Sequence, residues 1–142
     1  MLKEIRDIGI AAYLVMHEYK LRDKKDKSFL FEVVSDENKK FEDLKISYLS
    51  SEFQHFDSCL MSLKKLDEYP FEIKSNCFTN DLGCAAYILM HKFILLGKKN
   101  RFFYFDVSSE LEETQFREIN MQYSGSEFHN FDSKLMSLKK IF

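Results

Sequence analysis

The residues best suited to chemistry in this chain cluster at two short polar turns. Lys24, Lys25 and Lys27 surround the first, and Lys98, Lys99 and Arg101 surround the second. Phe102 and Tyr104 follow the second turn at alternate positions. Cations interleaved with aromatic rings suit single-stranded nucleic acid, because the cations contact phosphates and the rings stack on bases. The plainer reading of the same residues is solvated turn lysines, with Phe102 and Tyr104 covered by the linker or a helix. His17 and His91 occupy matching positions, but neither has a second ligand type three or four residues on, so no metal centre is assigned. His55 and His129 read as surface residues. Asp57-Ser58 and Asp132-Ser133 lack the strained nucleophile turn and Gly-x-Ser-x-Gly context of a serine hydrolase. No glycine-rich phosphate loop is present either. The reading therefore assigns no catalytic residue, no metal ligand and no cofactor.

Composition narrows the function classes. The 142 residues carry a formal net charge of −2. Residues 1–68 hold 12 Lys and Arg against 14 Asp and Glu, and residues 69–142 hold 9 of each kind, so no long-range field steers a polyanion to the chain. No apolar run reaches the length of a membrane span, and acids interrupt the N-terminal segment where a secretion signal would need apolar residues. Three cysteines without Cys-x-x-Cys spacing argue against a disulfide framework and a zinc site. The expectation is a reduced, cytoplasmic protein whose cysteines are small apolar residues. Its unusual feature is 15 Phe and 7 Tyr with no Trp, a supply of rings for burial, an interface or stacking.

A tandem duplication positions these residues. Asp7 through His17 recurs as Asp81 through His91, and Ser51 through Lys65 recurs as Ser126 through Lys140, the latter with 12 of 15 residues identical. The expected division is repeat 1 over 1–68 and repeat 2 over 69–142, assembled as one compact unit. Each repeat opens with an apolar, Ala-rich segment that predicts a buried helix, over about 5–18 and 79–93. Asp7 and Asp81 offer N-caps. Gly9 and Gly83, inside these helices, predict a close approach by another backbone.

A hairpin comes next. Its second strand alternates so that Phe29, Phe31 and Val33 share one face, as do Phe103, Phe105 and Val107. A mixed helix follows over about 36–49 and 109–123, capped by Ser109 in the second copy. Phe53, Phe56, Leu60 and Leu63, with their counterparts Phe128, Phe131, Leu135 and Leu138, mark an amphipathic closing helix. Pro70 breaks the chain between copies, and Phe71-Glu72-Ile73-Lys74 alternates like a short strand. The expected fold is α+β: two tandem helix–hairpin–helix–helix repeats, their hairpins joined in one pseudo-two-fold, four-stranded antiparallel sheet packed by helices.

The pattern of Thr79, Asp81, Ala85, Ala86, Tyr87, Phe103, Phe105, Glu110, Glu112, Phe131, Leu135, Leu138 and Lys139 resembles a small domain of unknown function found in phage and mobile-element proteins. The first copy departs from it by lacking the Thr and the acidic helix start. The resemblance implies a short accessory protein and no established chemistry. The expected function is a non-enzymatic interaction protein: a phage or mobile-element inhibitor that docks on a host defence or nucleic-acid-processing complex. The alternative is a single-stranded nucleic-acid binder that uses the basic turns and the exposed rings. The excess of rings also suits a homodimer interface, and no membrane partner is expected.

Overall fold

The computed structural model describes residues 1–141. Each repeat builds the same succession of elements. Repeat 1 contains β1 (Leu2–Ile5), α1 (Ile8–Met16), β2 (Lys20–Lys25), β3 (Ser28–Glu32), α2 (Asn38–Tyr48) and α3 (Glu52–Lys64). Repeat 2 contains β4 (Phe78–Thr79), α4 (Leu82–Met90), β5 (Ile94–Lys99), β6 (Phe102–Asp106), α5 (Glu110–Gln122) and α6 (Glu127–Lys139). The chain is an α+β protein with two sheets, each of three antiparallel strands.

Local chemistry explains the helix starts. Asp7 accepts a hydrogen bond from the Ile10 amide at 3.0 Å, and Asp81 accepts one from Cys84 at 2.9 Å. Both satisfy an orphan donor of the first helical turn. Ser109 caps α5 in the same way, through the Glu112 amide. Helices α1 and α4 are shorter than their apolar segments. Residues 2–5 and 78–79 are drawn into strands, and Glu18 (φ 70°) and Lys92 (φ 68°) close the other ends in the left-handed region.

The four-stranded sheet expected from the paired hairpins does not form. The two strand orders are β1-β3-β2 and β4-β6-β5, so each hairpin takes its third strand from the residues just before its own first helix. Leu2 faces Glu32 and Ile5 faces Phe29, and Phe78 faces Tyr104 in the second copy. The physical reason is backbone accounting. β3 and β6 each have a free edge after the hairpin forms, and the nearest extended segment satisfies it at the smallest loop-closure cost. No regular strand forms at 71–74; the strand lies at 78–79 instead.

The chain divides into two compact units: Met1–Gln54 with the segment from Asn130 onward, and His55–His129. Most of α3 therefore belongs with the sheet of repeat 2, and most of α6 with the sheet of repeat 1. The aromatic contacts within each unit follow this exchange. In the first, Phe131 lies 5.4 Å from Phe53 and 6.1 Å from Tyr48, and Tyr13 touches Tyr48 and Phe53. In the second, Phe56 lies 5.5 Å from Phe128 and 6.2 Å from Tyr123, and Tyr87 touches Tyr123 and Phe128. Phe56 and Phe131 are both fully buried.

The remaining core is the face expected from alternation. Phe29, Phe31, Val33, Phe103, Phe105 and Val107 are all buried. Phe41 and Phe116 sit against Phe31 and Phe105 respectively. Gly9 does serve close approach, but to a side chain: a Cβ there would lie 2.3 Å from the Tyr48 hydroxyl.

The exchange has a measurable consequence. Phe131→Ala and Phe56→Ala should each cost about 3–5 kcal/mol, as for other buried aromatics. Hydrogen exchange should accelerate in α2 for Phe131→Ala and in α5 for Phe56→Ala. The reverse assignment would mean that each closing helix serves its own repeat.

Candidate functional site

The six basic residues do not form one set. Antiparallel register places Lys24 opposite Phe29 and Lys98 opposite Phe103, so both lysines lean over the core face. Their ammonium groups lie 5.5 and 5.8 Å from the two ring centroids, and Lys24 also donates to the Ile141 carbonyl. Lys25, Lys27, Lys99 and Arg101 are exposed. Lys25 and Lys27 belong to the first unit, Lys99 and Arg101 to the second.

Phe102 and Tyr104 lie on the outer face of the second sheet, as alternation requires, and both are half-buried. Two neighbours partly cover them. Phe78 of β4 sits edge-on to Phe102 at 5.4 Å and tilted on Tyr104 at 5.3 Å. Phe71 of the linker packs on Tyr104 at 5.6 Å. The four rings form one continuous chain of contacts, Phe102–Phe78–Tyr104–Phe71, with Phe78 40% exposed at its centre. Lys99 lies directly across from Phe102 on this face.

Gly97 is what admits the linker. It pairs with Tyr104 after the bulge in β5, and a Cβ there would lie 2.6 Å from the Phe71 ring. The linker is fastened on both sides of Phe71. The Glu68 carboxylate accepts from the Asn100 amide, and the Ser75 hydroxyl donates to the Phe105 carbonyl. An open groove of about 370 Å³ runs beside it, lined by Glu68, Tyr69, Pro70, Phe71, Lys98 and Lys99. Phe78 and Gly97 escaped the sequence reading. A glycine within a strand was the available signal, since it often marks the close approach of another group.

The same face of the first sheet is built differently. Glu4 stands where Phe78 does, Ser28 where Phe102 does, and Leu30 where Tyr104 does. Ser28 and Arg6 donate to the Glu4 carboxylate at 2.6 and 3.1 Å, and these bonds hold its carboxyl below the usual range.

The histidines are packing groups at helix ends. His17 and His91 are the C-caps of α1 and α4 and sit edge-on to Tyr13 and Tyr87 at 4.6 and 4.5 Å. His55 and His129 are exposed. Among the described residues no group of three or more His, Cys, Asp or Glu could hold a metal ion, and no helix is long and apolar enough to cross a membrane. Comparison with family models, curated proteins and solved structures gives no match.

All three cysteines are free and buried. Burial, reinforced by Asp81, pushes the Cys84 thiol up to about 11 from its ordinary value near 9. Its sulfur also lies 2.9 Å from the Asn120 side-chain oxygen, a contact that favours the thiol over the thiolate.

Two outcomes follow. Because the folded chain holds the Cys84 proton where the unfolded chain has lost it, stability should fall as pH rises from about 9 to 11. Cys84→Ala should flatten that part of a denaturant-midpoint profile. Separately, Gly97→Ala should cost about 1–3 kcal/mol by overpacking against Phe71. It should speed proteolysis within 68–73, and Phe71→Ala should remove most of the stability loss.

Proposed function

We propose that the protein is a non-enzymatic docking module whose binding face is the outer surface of the second sheet. The observation that supports it most is the contrast between the two repeats. Their cores match ring for ring, because both must satisfy the same packing. Their outer faces are not held to that constraint. One carries Glu4, Ser28 and Leu30; the other carries Phe71, Phe78, Phe102 and Tyr104. A partly exposed aromatic cluster beside a charged turn has the composition of a binding surface. The resemblance of repeat 2 to a phage and mobile-element domain supplies a setting, an inhibitor docked on a host defence or nucleic-acid-processing complex.

The test compares tagged wild-type protein with the Phe102→Ser, Tyr104→Ser double variant, and with a control carrying Leu30→Ser on the first sheet. Partners captured from a bacterial lysate, with and without nuclease, should be lost from the double variant and kept by the control. Equal recovery by all three proteins, each folded by circular dichroism, would remove the outer face from the function.

A further inference from the structure

We infer that the outer face of the second sheet binds single-stranded nucleic acid, with bases stacked on Phe102, Phe78, Tyr104 and Phe71 and phosphates held by Lys99 and Arg101. This rests on the docking role given to that face and names its partner. Three observations carry it. The four rings form an unbroken array with spacings of 5.3 to 5.6 Å, and every base has a flat face that such an array can stack against. Lys99 and Arg101 stand at one end of the array, beside Phe102, where they outnumber the Glu68 carboxylate held on the Asn100 amide, whereas Asp106 stands at the other end of the same face. A flexible polyanion would therefore enter with its phosphates at the turn. Bases must be splayed out to reach the rings, so a duplex would not fit.

The third observation is the backbone of Arg101. The turn Asn100-Arg101 has both residues in the left-handed region, at φ 53° and 71°. A turn of this kind strongly favours glycine at its second position. An arginine there sacrifices stability and gains an exposed guanidinium next to the rings. Glu18 and Lys92 take the same conformation to close a helix; at Arg101 glycine would serve the turn better, so the guanidinium is the feature retained there.

The experiment is fluorescence anisotropy of the full chain with a labelled oligothymidylate of about twelve nucleotides, within the usual footprint of such surfaces. Binding should be saturable and salt-sensitive, with a logarithmic slope of about −1.4, the value for two phosphate contacts on a single strand. Phe102→Ala or Tyr104→Ala should weaken it about 5- to 150-fold. Lys99→Glu with Arg101→Glu should abolish it. Arg101→Gly is the decisive variant: its thermal midpoint should rise while its affinity falls. Inorganic polyphosphate and duplex DNA should compete poorly. The inference is overturned by absent binding, by polyphosphate competing as well as the oligonucleotide, or by Arg101→Gly binding like wild type. If the oligonucleotide fails to bind while nuclease-resistant capture still depends on Phe102 and Tyr104, the partner is a protein and only the nucleic-acid assignment falls. If capture does not depend on them either, both fall.

Discussion

The burial of Phe131 among Tyr13, Tyr48 and Phe53, and of Phe56 among Tyr87, Tyr123 and Phe128, is the constraint on which both units rest. A three-stranded sheet with two short helices offers little apolar area, and a domain of this size is marginal without a further layer. The closing helices supply that layer. Phe131, Leu135 and Leu138 are buried on α6, and Phe56, Cys59, Leu60 and Leu63 on α3. Because the helices serve opposite repeats, the first unit is assembled from two separate pieces of chain, whereas the second is the continuous stretch His55–His129. The first unit needs residues from Asn130 onward, so its core is completed only by a segment that follows the whole of the second unit in sequence. Folding is thereby tied to contacts distant in sequence, which slows it.

What the sequence disclosed and what it concealed divide along the range of the interactions. The caps at Asp7, Asp81 and Ser109, the alternation of Phe29-Phe31-Val33 and the stripe of the closing helices are all set within a few residues, and they were legible. The third strands were not. Leu2–Ile5 and Phe78–Thr79 are too short to show a period, and in the second copy they run into an apolar helix. The exchange of α3 and α6 was concealed for a different reason. With 12 of 15 residues identical, either stripe fits either groove by composition, and only the three-dimensional path of the chain decides between them.

The candidate site was legible in part, for a similar reason. Alternation placed Phe102 and Tyr104 on the outer face correctly. The turn cations stand together in sequence, and the strand period divides them. Lys98 faces inward over Phe103 and Lys99 faces outward across from Phe102, one residue apart. The sequence reads Phe71 as part of a short alternating strand, and its contact with Gly97 is invisible there because glycine carries no side chain to advertise it.

The duplication also serves as an internal control. Two copies of one fold hold the same rings in their cores, so the core cannot be the source of any difference in function between them. What differs is a surface that packing leaves free: polar and hydrogen-bonded around Glu4 in one copy, a chain of rings around Tyr104 in the other. The linker that joins the copies lies on the second surface and contributes Phe71 to it. The fusion of two repeats thus does more than supply an exchanged helix. It creates the strap that completes the aromatic face, so that the connection between the copies is itself part of the surface the second copy presents.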